Sequence, residues 1–245
     1  MANVKTSDVK EVKAPELVVP GVYQISLGFV NAFLLESDDG LILIDTGIPG
    51  SADKILGAIS ALGKQPADIH QILVTHLHAD HTGNLAALKR ATGAPIYMHP
   101  LDAALVRKGI AGRPMTPAPG LMPRLMHTMM SFRGAPVVEA VETDHEVNEG
   151  DVLPLAGGIQ VITTPGHSAG QVAFLWPHNG GVLFAGDVAG NMSNKLSISI
   201  VYEDMPLGIK SLKKLAGMHF ETAIFGHGGP IVSGASEQFR HKWGM

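Results

Sequence analysis

Cysteine is absent from the 245 residues. Its absence excludes disulfides, a thiol nucleophile and thiolate metal ligands, so a metal held here must rest on nitrogen and oxygen. Basic runs are also missing, and the formal net charge is −4. A nucleic-acid partner is therefore not expected. No uninterrupted apolar stretch is long enough to cross a bilayer. Met1 to Pro20 carries Lys5, Asp8, Lys10, Glu11, Lys13 and Glu16 where a secretory signal would be apolar. The expectation is a soluble, cytoplasmic protein with no membrane partner. What is present, 45% hydrophobic and 16% charged residues, describes a globular chain with a substantial core.

Residues 1–14 read as a charged, flexible arm. After Leu17 short apolar segments alternate with turns, and the pattern predicts strands over 22–27, 30–35 and 41–44. Asp38-Asp39-Gly40 marks a hairpin between the last two. A helix is expected from 52 to 62, a buried strand at 72–74, and a helix over 84–92 capped by Gly93. A strand at 95–98 leads into an irregular insert, 101–134, whose apolar positions 121, 122, 125, 126, 129 and 130 mark an amphipathic helix. Pro123 fits that helix only in its first turn. Strands are expected again at 137–141, 152–155, 159–163, 171–175 and 182–184. A helix near 207–215, a strand at 222–225 and a terminal helix from 235 complete the chain. The order strand, helix, strand, helix in two similar halves, without a fixed-period repeat, predicts one α/β domain over 1–245.

The chemistry concentrates in Val74-Thr75-His76-Leu77-His78-Ala79-Asp80-His81-Thr82-Gly83-Asn84, where four metal-capable side chains fall within six residues. Crowded imidazoles repel when protonated and a buried carboxylate needs a cation or donors, so such a run is costly unless something binds it. Three further candidates follow apolar strands at glycine-flanked turns: His167 in Pro165-Gly166-His167, Asp187 in Gly186-Asp187, and His227 in Gly226-His227-Gly228. The other histidines, His70, His99, His127, His145, His178, His219 and His241, lack such a setting and read as surface or packing residues.

These pieces, with Leu43-Ile44-Asp45-Thr46-Gly47 before them, resemble the metallo-β-lactamase-fold hydrolase superfamily from about Leu17 onward. The resemblance implies an αββα four-layer sandwich with the site at one edge of the paired sheets. It implies two divalent ions, one taking His76, His78 and His167 and the other Asp80, His81 and His227, with Asp187 bridging. Zinc is the default metal for such ligands, and the same set suits iron, manganese or cobalt. A metal-bridging hydroxide would then attack a lactone, ester or related acyl bond, with Asp80 and Asp187 as the catalytic carboxylates. Asp45 would stand behind the ligands and hold their geometry.

Departures from subfamily patterns narrow the substrate. Asp187 stands where the resembled zinc β-lactamases place a cysteine or serine, which disfavours dedicated β-lactam hydrolysis. Gly190 stands where acyl-homoserine lactonases usually carry a tyrosine, which leaves that assignment open. Met122, Met126 and Met130 are candidates for an adaptable apolar wall of the substrate pocket, with a core role or a homodimer contact as the competing reading. The partner expected is a small-molecule acyl substrate. Two other functions stay open: a mononuclear iron sulfur dioxygenase of the persulfide type, using His76, His167 and Asp187, and a non-catalytic metal-binding protein.

Overall fold

A computed structural model of the chain describes residues 14–131 and 137–244. The arm expected at 1–14 lies, apart from Ala14, outside the described residues. The first half runs through β1 (Glu16–Val19), β2 (Val22–Ser26), β3 (Asn31–Ser37) and β4 (Gly40–Ile44), then α1 (Ala52–Ala61), β5 (Ile69–Leu73), the single turn α2 (Ala79–Thr82), α3 (Leu85–Thr92), β6 (Ile96–Met98) and α4 (Pro100–Val106). It continues through β7 (Thr116–Pro117), α5 (Leu121–Ser131) and β8 (His145–Glu146). The second half holds β9 (Val152–Leu153), β10 (Ile159–Thr163), β11 (Val172–Trp176) and β12 (Val182–Phe184). After these come β13 (Ala189–Met192), β14 (Lys195–Ile198), β15 (Val201–Tyr202), α6 (Met205–Ala216), β16 (Thr222–Ile224) and α7 (Ala235–Trp243).

Seven strands form the larger sheet in the order β1-β2-β3-β4-β5-β6-β8. Its first four strands are antiparallel neighbours and the rest add in parallel. The second sheet has the order β16-β12-β11-β10-β9. Side chains alternate across each strand, and this alternation builds the layers. Leu34 and Leu43 point to Ile55, Ile59, Leu85, Leu88 and Val106 of α1, α3 and α4. Phe33, Leu35, Ile42 and Ile44, one position away on the same strands, meet Val161, Val172, Phe174 and Phe184 of the second sheet. Ala173 and Leu183 face outward onto Leu212, Leu215 and Phe239 of α6 and α7. The result is the expected helix–sheet–sheet–helix sandwich. Each fully buried side chain of this size contributes about 1.5–3 kcal/mol.

Two expectations fail locally. The strand predicted at 137–141 does not form: Val137 is exposed and makes only an isolated bridge to Ile110. Arg90 pairs with Glu139, and Lys89 holds the Glu142 carbonyl and the Asp144 carboxylate, so this stretch follows α3 instead of the sheet. Only from Asp144, whose N–H donates to Ile96 O, does the chain reach the edge of β6. The insert is also less irregular than predicted, because α4 opens it. His99 caps that helix by accepting the Leu101 N–H, and Pro100 suits the first turn. Among the described residues no helix is long and apolar enough to cross a membrane.

Candidate metal centre

Every candidate ligand leaves the C-terminal end of a strand at the same edge of the sandwich. β5 leads into residues 74–81, β10 into His167, β12 into Asp187 and β16 into His227. Backbone bonds stitch the two sheets together there: Val172 N–H donates to Thr75 O (2.9 Å) and Asn31 N–H to Gly226 O (2.8 Å). Two glycines make the close approach possible. Gly166 adopts φ 135° with the Gly208 backbone against it, and a Cβ on Gly226 would collide with the Asp187 carboxylate and the His81 ring.

The side chains converge in three overlapping groups, His76/His78/His167, His76/His81/Asp187 and Asp80/His81/His227, with ligand atoms within 4.8 Å of one another in each. None of the other seven histidines enters these groups. Asp187 reaches across: one oxygen lies 3.4 Å from His81 Nε2, the other 3.4 Å from His167 Nε2 and 3.1 Å from His227 Nε2. Asp80 lies 3.4 Å from His227 Nε2.

Hydrogen bonds behind the rings fix which nitrogens face inward. A carboxylate or carbonyl only accepts, so a ring nitrogen bonded to one must carry the proton. His81 Nδ1 therefore donates to Asp45 (2.8 Å), His167 Nδ1 to Val201 O (2.9 Å) and His227 Nδ1 to Phe29 O (2.7 Å). Thr75 Oγ1 donates to Asp45 (2.8 Å) and so accepts from His76 Nδ1 (3.0 Å). All four rings thus turn Nε2 toward the centre, while His78 brings Nδ1 to 2.9 Å from His167 Nε2. Asp45 is buried in the left-handed region at φ 59°, and its carboxylate also takes the Thr75 N–H (2.8 Å). The resemblance implies a place for Asp45 behind the candidate ligands, and its carboxylate bonds to His81 and Thr75.

The electrostatics divide the cluster. Burial, followed by the neighbouring rings, drives His76 well below the ordinary imidazole pKa and His78 to about 3. Burial also lowers His167. For His81 burial works the same way, but Asp187, Asp45 and Asp80 outweigh it and raise the pKa well above 6.5. Against the same opposition, Asp187 and Asp80 raise His227 to about 10. A cation at His76, His78 and His167 would compete with few protons at neutral pH. At His81 and His227 a cation would have to displace them, and its uptake would strengthen as pH rises.

Met122 and Met126 of α5 are exposed, and the side chain of Met130 lies outside the described residues. The helix packs on β7, whose partner β15 supplies the Val201 carbonyl that holds His167. Two contributors were not foreseen. Phe29, 61% exposed, lies parallel to His227 with ring centroids 5.9 Å apart. Its only sequence signal is an aromatic residue beside Gly28 in a turn. Asp102 is buried beneath the His76–His78 loop, and nothing local in Pro100-Leu101-Asp102 distinguishes it from an ordinary helix start.

Comparison with known proteins follows this geometry. The chain is 32% identical over 162 residues to the protein YobT of Bacillus subtilis, covering 64% of this chain and only 61% of that relative's length. It is 28% identical over 214 residues to an N-acyl homoserine lactonase of Bacillus thuringiensis, covering 76% and 74% of the two chains. Among solved structures, an HARLDQ motif mutant of a metallo-beta-lactamase from Cronobacter sakazakii superposes with a TM-score of 0.67 at 25% identity, covering 88% of this chain and 80% of that one. The sequence model of the metallo-beta-lactamase superfamily matches residues 25–227. A match of that extent decides the family: the chain belongs to the metallo-beta-lactamase superfamily.

Proposed function

We propose that the chain is a dinuclear metal-dependent hydrolase that cleaves a lactone, ester or related acyl bond of a small molecule. The observation that carries this reading is a set of buried, unpartnered atoms at the centre of the cluster. His76 Nε2, His81 Nε2 and Asp187 Oδ1 are buried without a hydrogen bond, the last two facing each other at 3.4 Å. Such groups are costly to leave unpaired, and divalent cations among them would satisfy all three. The donors are nitrogen and oxygen alone, which fits zinc first and also iron, manganese or cobalt.

In this reading His76, His78 and His167 would hold one ion and Asp80, His81 and His227 the other, with the Asp187 carboxylate available to both. Two bound ions would supply Lewis acidity, lowering the pKa of a water and polarising a carbonyl. The protein's own groups do the rest. Asp45 and Thr75 fix the orientation of His81 and His76 through the bonds described above. Asp80 has a quarter of its side chain open to solvent beside His227, where it can orient a water and return a proton to the leaving group. The Phe29 ring offers an apolar surface next to the cluster for the acyl part of a substrate.

The lactonase relative supports the lactone class. Gly190 stands where that class usually carries a tyrosine, so esters belong in the same test. The assembled Asp80/His81/His227 group weighs against a mononuclear dioxygenase, which would leave it without a task. The test is a panel of acyl lactones and aryl esters assayed with metal-loaded, chelated and reloaded protein. Turnover that disappears on chelation and returns with zinc, manganese or cobalt is expected. Absence of turnover on the whole panel by the two-metal form would contradict the proposal.

A further inference from the structure

Asp102 carries no part of the reading above, yet it bonds the chain beside His76, His78 and His167. It sits on α4 with no solvent exposure. One oxygen accepts the Leu77 N–H (3.0 Å) and the Ser168 hydroxyl (2.8 Å). The other accepts the Gly170 N–H (3.1 Å) and the Arg113 guanidinium (2.7 Å). Leu77 separates His76 from His78, and Ser168 directly follows His167. One carboxylate therefore ties together the two loops that present those three histidines, which come from different sheets.

The same guanidinium nitrogen lies 3.3 Å from Glu203 Oε1, and Glu203 Oε2 accepts the Ala169 N–H (2.9 Å). Residues 168, 169 and 170 are thus each held by a carboxylate. A buried carboxylate persists only when paired and hydrogen-bonded, and here Arg113 supplies the counter-charge while three other groups donate. The other group's ligands are held without Asp102: Asp45 orients His81 (and, through Thr75, also His76), and the Phe29 carbonyl orients His227.

We propose that Asp102 is a positioning residue that sets the geometry of the His76/His78/His167 group while leaving Asp80/His81/His227 to other supports. The inference rests on the two-metal reading and names what holds one half of it. Asp102→Asn preserves shape but loses charge and one acceptor. Gly170→Ala offers a second route, because its Cβ would collide with the Asp102 carboxylate while Gly170 itself is outside the left-handed region.

The experiment is cobalt(II) titration of metal-free wild type and both variants, followed by equilibrium dialysis and visible absorption, with the thermal midpoint of each metal-free protein measured alongside. Wild type should bind two equivalents. In both variants one binding event should weaken about 10–100-fold, with its absorption bands altered, while the other stays unchanged. Equal weakening of both events, or of neither, would overturn the positioning role. A wild-type chain that takes up no cobalt would instead overturn the two-metal reading and the inference with it, so the two failures are distinguishable.

Discussion

At the scale of the residue, Asp187 makes the cluster one site. Its two oxygens face rings belonging to both candidate groups, and one of them is buried without a hydrogen bond. Asp187→Ala should abolish ester or lactone turnover and markedly lower metal content, with far-ultraviolet circular dichroism unchanged. Retained turnover with two metals still bound would remove Asp187 from the centre. The seven ligand candidates were legible because each carries a local mark: four crowd into 76–81, and three follow apolar strands between glycines. Asp102 and Phe29 were not legible, because their importance is spatial. Asp102 meets Ser168 across 66 positions and the Phe29 carbonyl meets His227 across 198, and no window of sequence contains either pair.

At the scale of the element, strands were the more readable part. β3 and β4 are apolar on both faces because one face meets helices and the other meets the second sheet. Apolar content misled at 137–141, where Arg90 and Lys89 draw the stretch along α3 and backbone pairing with β6 begins only at Asp144. α4 was overlooked because His99 is an uncommon cap, although Pro100 marked the first turn. The periodicity of α5 was correct, with Pro123 in its first turn, and Leu121, Met122, Leu125, Met126 and Met129 prove exposed. Met126→Ala should therefore cost little stability, within about 0.5 kcal/mol. If α5 walls the pocket, the same change should shift preference between long and short acyl chains while sparing the smallest ester. An unchanged substrate profile would assign this face to something other than substrate.

At the scale of the whole molecule, the sandwich explains why a cysteine-free chain gathers five imidazoles and two carboxylates at one edge. Four strands of two sheets end side by side there, so loops distant in sequence share one small volume. The core pays no attention to that chemistry: Phe33 and Phe184 meet edge to face between the sheets, with ring centroids 6.0 Å apart, and similar apolar contacts continue through the layer. The rim, by contrast, carries several buried polar atoms without a hydrogen bond, which a cation would satisfy. The most direct test of that account is elemental analysis of the purified protein, as moles of each metal per chain. About two moles of zinc, manganese or cobalt per chain are predicted. About one mole of iron, with oxygen uptake on a persulfide and no ester or lactone turnover, would contradict the account.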